Sequence, residues 1–255
     1  MLTFPDFLIR MVYHYLLNVL KEKKKGFFFL LDPDRVTPQN VRTIVEGINR
    51  NEVDAILLGT SVLFNFDLDR VAKEIKRHSK VPVILFPGSA YQLSPDIDAV
   101  FFLSLISGRN PELLIGEHVR AAPLIRKHGI EPIPVGYMLI ESSNLTSARF
   151  MSNSLPIPRD KPDIAKAHAL AGEYLGMKLI YVDAGSGADM SVSDEMIAAI
   201  KSITTIPLVV GGGIRTPEEV KKKAEAGADF VVVGNAFEND ISRLQDFCGA
   251  LGRIG

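Results

Sequence analysis

Eight short apolar runs recur along the chain, separated by polar, helix-forming stretches, and this alternation constrains the fold more than any other feature. The runs occupy 27–31, 54–58, 81–86, 99–103, 131–135, 178–182, 206–210 and 230–233. They are strand-sized, and near-continuous apolar strands alternating with helices imply a parallel sheet buried on both faces. Helix-forming stretches lie at 38–51, 68–80, 111–128, 163–176 and 195–202. Thr216-Pro217-Glu218-Glu219 reads as an N-cap, a first-turn proline and a capping-box glutamate, opening a helix after strand seven. The expected fold is an α/β (β/α)8 TIM barrel, a single domain over 1–255, and 47% hydrophobic residues suffice for its core.

Two glycine-bearing turns follow the last two runs, Gly211-Gly212-Gly213-Ile214-Arg215 and Gly234-Asn235-Ala236-Phe237. Glycines let backbone approach an anion closely, and amides at a helix start donate to it. In a (β/α)8 barrel the loops after strands seven and eight form the phosphate site. A phosphorylated small molecule is therefore the expected ligand.

Composition narrows the class. With 29 basic and 30 acidic residues the net charge is -1, which leaves no nucleic-acid footprint. The lone Cys248 excludes an intrachain disulfide and a cysteine-based metal cluster, and a cytoplasmic location is expected. The stretch 7–20 is apolar but interrupted by Arg10, Tyr13, His14, Tyr15 and Asn18, and the lysine-rich run 21–25 follows it. It reads as an amphipathic helix within 1–25 that packs beneath the barrel, with peripheral lipid contact through the lysines as the other reading.

Chemistry in this fold sits at the C-terminal ends of the strands. Strand one ends Leu31-Asp32-Pro33-Asp34-Arg35, strand two Gly59-Thr60-Ser61, and strand six runs into Tyr181-Val182-Asp183-Ala184-Gly185-Ser186-Gly187-Ala188. Oxygen ligands from Asp32 and Ser61 suit Mg2+, which takes few carboxylates and keeps waters. The segment 140–161, rich in Ser, Asn, Thr and Pro, follows strand five, where a lid or binding loop would sit. The five histidines fall in helices or at their ends and read as surface or packing residues.

These segments, with 104–111 (Ser-Leu-Ile-Ser-Gly-Arg-Asn-Pro), Gly136-Tyr137-Met138-Leu139 and Pro156-Ile157-Pro158-Arg159-Asp160-Lys161-Pro162, resemble the geranylgeranylglyceryl phosphate synthase family, including its heptaprenylglyceryl phosphate synthase relatives, over nearly the whole chain. The resemblance implies that the sn-3 hydroxyl of sn-glycerol 1-phosphate attacks C1 of a polyprenyl diphosphate, most simply geranylgeranyl diphosphate. By the family pattern, Mg2+ on Asp32 and Ser61 offsets charge on the leaving diphosphate. Glycerol phosphate lies against Tyr181, Val182, Asp183, Ala184, Gly185, Ser186, Gly187, Gly212, Gly213, Gly234 and Asn235, and Asp183 takes the hydroxyl proton.

Many members of that family carry Glu at the position of Asp183, and some carry Lys at Leu30. The prenyl groove is expected around Phe86 and Tyr137, with Phe101 and Phe102 on opposite faces of strand four. A homo-oligomer is expected, although apolar helix faces in barrels do not mark an interface. The alternative is a phosphate-binding barrel that is non-catalytic or acts as a sugar-phosphate isomerase or aldolase.

Overall fold

The eight runs form eight strands that close on themselves in the order of the sequence, every neighbouring pair parallel, in a computed structural model that describes residues 11–64, 67–237 and 240–252. They are β1 (Gly26–Leu31), β2 (Ala55–Leu58), β3 (Val83–Leu85), β4 (Ala99–Leu105), β5 (Glu131–Leu139), β6 (Leu179–Asp183), β7 (Leu208–Gly211) and β8 (Phe230–Val233). The (β/α)8 expectation holds, and β8 closes against β1 with Phe28 opposite Val232.

The helices are α1 (Val12–Lys23), α2 (Val41–Asn49), α3 (Leu68–His78), α4 (Glu117–His128), α5 (Ser147–Ser152), α6 (Pro162–Tyr174), α7 (Asp194–Lys201), α8 (Pro217–Ala226) and α9 (Leu244–Leu251). Thr216 caps α8 by accepting from Glu219 N–H at its hydroxyl, and the Glu219 carboxylate in turn accepts from Thr216 N–H. The β3–β4 connection breaks the alternation: it contains only the three-residue turn Ala90–Gln92. Pro87, Gly88 and Pro95 leave it no room for a helix. The third unit therefore has no helix of its own, and α4, which follows β4, packs against the Ala90–Gln92 turn beside that gap.

Strand alternation divides the apolar residues into two cores. Phe28, Leu57, Ile84, Phe101, Val135, Tyr181, Val209 and Phe230 fill the barrel interior, while Phe29, Ile56, Leu85, Val100, Met138, Val182 and Val210 face the helices. Phe101 is the inward member of its pair and Phe102 the outward one. Aromatic rings stack up the interior: Phe28 on Phe230 at 4.4 Å, and higher up Phe86 on Tyr181 at 5.2 Å.

The lower end is plugged by α1, whose Val12, Leu16 and Val19 join the interior core. Glu131, the first residue of β5, accepts from the amides of Val12 and Tyr13, satisfying donors at the helix start. The expected N-terminal helix is thus observed over Val12–Lys23, and residues 1–10 of that expectation lie outside the described residues. Lys23 pairs with Asp54 at 2.8 Å and Lys25 donates to Ala228 O at 2.8 Å, so part of the lysine run belongs to the barrel floor.

Candidate active site

At the upper end Asp183 closes β6 with its side chain pointing into the barrel, 5% exposed. The Tyr137 hydroxyl donates to its Oδ2 at 2.6 Å and Gly185 N–H to its Oδ1 at 2.7 Å. Burial pushes this carboxyl above the usual range, and the two hydrogen bonds offset part of that shift. Burial and the neighbouring Asp183 charge push the hydroxyls of Tyr137 and Tyr181 well above their ordinary value, so both stay protonated.

Gly211 lies beside Asp183 in the sheet register, and the β7 turn follows it. Gly212 has φ +81°, and a Cβ there would sit 2.4 Å from Asp183 Oδ1 and 2.6 Å from Gly185 N, so only glycine fits. The Arg215 guanidinium donates to Ala188 O at 2.9 Å and lies 3.7 Å from Asp189, which ties this turn to the one after β6. Directly after β8 comes the three-residue turn Asn235–Phe237, with α9 starting only at Leu244, and α8 begins beyond Gly213 at Pro217. The cup is therefore lined by turn backbone rather than by the start of a long helix.

Asp32 and Ser61 face the same opening from β1 and β2. Asp32 Oδ1 accepts from Asp34 N–H at 3.0 Å, Oδ2 lies 3.5 Å from Thr60 Oγ1, and burial raises its pKa. Gly59 allows the tops of β2 and β3 to touch, since a Cβ there would fall 1.9 Å from Phe86 O. The buried Gln92 locks the two loops, accepting from Gly88 N–H at 2.8 Å and donating to Thr60 O at 3.2 Å. Among the described residues no three His, Cys, Asp or Glu side chains gather as a closed metal site. A half-buried carboxylate near the Thr60 hydroxyl, with Ser61 lining the same cavity, is an open, oxygen-only donor set, which fits a hard ion that keeps waters and phosphate oxygens.

One cavity of about 1570 Å3 joins these parts. Asp32, Ser61, Phe86, Tyr137, Tyr181, Asp183, Ser186, Gly187, Gly212, Gly213, Gly234 and Asn235 line it. Val182, Ala184 and Gly185, expected at the ligand, do not. Val182 and Ala184 point into the helix-facing core by strand alternation, and Gly185 spends its amide on Asp183. Phe86 and Tyr137 do line the cavity, at the barrel mouth: Phe86 stacks on Tyr181, while Tyr137 meets it edge to face at 5.5 Å and donates to Asp183.

The cavity's apolar arm runs instead along the outer side of β4, past Val100, Phe102, Leu113, Ala121 and Ile125, where the third unit lacks its helix. A π-helical turn, Glu112–Gly116, leads into α4 beside it. The sequence expectation for His118 is a surface or packing residue. It packs, edge to face on Phe102 at 4.4 Å, but it also lines this arm, 3.2 Å from Ser104 Oγ. Gln92 and His118 carry no motif, whereas Ser104 opens the 104–111 segment; the short, proline-flanked β3–β4 connection is the sequence signal that could have found this region.

The profile of the PcrB family matches residues 17–250. The chain belongs to the PcrB family. It is 44% identical to the geranylgeranylglyceryl phosphate synthase of Chitinophaga pinensis, covering 89% of this chain and 90% of that protein. Its identity to the synthase of Thermococcus gammatolerans is 46%, over 89% of each. The crystal structure of (S)-3-O-geranylgeranylglyceryl phosphate synthase from Thermoplasma acidophilum, in complex with sn-glycerol-1-phosphate, superposes with a TM-score of 0.90 at 33% identity, covering 96% of this chain and 99% of that one. A tryptophan synthase alpha chain from Legionella pneumophila, 16% identical with a TM-score of 0.60, shares the fold alone.

Proposed function

We propose that this PcrB-family chain is a prenyltransferase that joins sn-glycerol 1-phosphate to a polyprenyl diphosphate. The sn-3 oxygen forms a bond to C1 of the prenyl chain, the C1–O bond to diphosphate breaks, and the hydroxyl proton passes to Asp183. The observation that carries the reading is a buried carboxylate with no cation among its described partners, set between a glycine-lined cup and a cavity with a long apolar arm. A carboxylate held by two donors and raised by burial is suited to accept a proton from an alcohol within hydrogen-bond reach.

Each part of the site has a task in this reaction. The turns at Ser186, Gly187, Gly212, Gly213, Gly234 and Asn235 receive the phosphate of the acceptor, and Tyr181 and Phe86 give its glycerol a rigid floor. Tyr137 holds Asp183 in one orientation, which a shorter Asp needs more than a Glu would. Asp32 and Ser61 would hold Mg2+, which when bound supplies charge neutralisation for the departing diphosphate. The arm along β4 takes the hydrocarbon tail.

The decisive experiment incubates the protein with labelled sn-glycerol 1-phosphate, Mg2+ and a series of polyprenyl diphosphates, with sn-glycerol 3-phosphate as control. An ether product from the 1-phosphate alone, lost in Asp183→Asn, is expected. Binding of glycerol phosphate without product from any donor would sink the proposal.

A further inference from the structure

The mouth of the cavity is rimmed by apolar side chains that no part of the described chain covers. Val62 and Phe64 after β2, Tyr91 after β3 and Met151 after β5 line the cavity and project into solvent, with Tyr91 91% and Phe64 80% exposed. Beyond them on the β5 loop stand Phe150, 70% exposed, and Leu155, 81% exposed. These six belong to three loops on one face, the face through which the cavity opens. Exposed apolar residues scattered singly need no explanation, but several gathered on the loops around one cavity mouth mark an interaction surface.

We infer that this rim docks on a lipid bilayer, with the cavity opening toward the acyl layer. The occupant follows from the long-tailed donor and product proposed above. A hydrocarbon tail loses about 0.8 kcal/mol per CH2 on leaving an apolar environment for water, so a mouth seated in the interface removes that barrier. Aromatic and methionine side chains are suited to the headgroup boundary, where one end of the ring stays wet. Arg149, on the same loop as Met151, carries no ion pair among the described residues and can meet an anionic headgroup. The surface is on the opposite end of the barrel from the lysine run at 21–25, which the alternative reading of the N-terminal helix seats on lipid. The two orientations exclude each other, because one turns the mouth toward lipid and the other turns it away.

Flotation with vesicles of phosphatidylcholine and phosphatidylglycerol tests this without requiring turnover. The wild-type chain is expected to float. Phe150→Asp with Leu155→Asp, neither residue lining the cavity, should weaken vesicle binding about tenfold or more while turnover of a short, water-soluble prenyl diphosphate is unchanged. Lys21→Glu with Lys24→Glu should float like the wild type. Tyr91→Trp, in a chain that has no other Trp, should be quenched by brominated acyl chains. A wild type that fails to float, or binding lost in the lysine variant and kept in the loop variant, would overturn the docking surface. Vesicle binding with no ether product from any donor would leave the surface standing and overturn the prenyl-transfer reading instead.

Discussion

Two buried aspartates stand at opposite ends of the same barrel, and their partners differ. Asp54 at the floor, 2% exposed, accepts from Lys23 Nζ at 2.8 Å and from Phe27 N–H at 2.9 Å. Asp183 at the mouth accepts only from neutral donors, Tyr137 and Gly185, among the bonds described. Burial raises the pKa of both. The floor carboxylate is compensated by a cation and tied into the plug, which serves stability. The mouth carboxylate is held in place with its charge unmatched, which costs stability and suits the proton acceptor of the proposed reaction.

Substitutions should separate the two ends. Asp183→Asn, isosteric and uncharged, is expected to cut turnover by roughly 10²–10⁴ with no loss in melting temperature. A variant that keeps turnover would remove the contrast at its root. Gly212→Ala should come next, since its Cβ would strike Asp183 Oδ1. Glycerol phosphate affinity and turnover should each fall on the order of tenfold or more, readable by titration calorimetry and the product assay. Asp54→Ala should do the reverse. It leaves Phe27 N–H without its acceptor and is expected to cost about 2 kcal/mol in denaturant unfolding, with kcat unchanged in the folded fraction.

Tyr137→Phe should produce the smallest and sharpest effect. Its hydroxyl favours the charged form of Asp183, so removing it raises that pKa further. The acid limb of kcat/KM, already above the ordinary carboxylate value of about 3.9, should move to higher pH by a measurable fraction of a unit. Stability follows the same sign. Raised folded-state values at Asp54 and Asp183 mean the native chain binds more protons than the unfolded one just above the ordinary pKa, so stability falls as pH rises through that window. Asp183→Asn should flatten part of that slope, and a slope unchanged in the variant would assign it to Asp54.

The amino-acid sequence by itself determined the barrel, because eight apolar runs at βα spacing have few other ways to bury both faces. It also determined the glycine turns after β7 and β8 and the carboxylates at strand ends, since turn chemistry and strand termini are local. Only the tertiary structure decided which residues meet. Val182 and Asp183 are neighbours in the chain, yet strand alternation sends one to the helices and the other to the cavity. Tyr137 finds Asp183 from 46 residues away, and Gln92 finds Thr60 across two loops. The apolar arm exists because one crossover lacks a helix while α4 stands beside the gap. Such contacts arise from the closure of the barrel, which brings distant segments together at distances that no local pattern encodes.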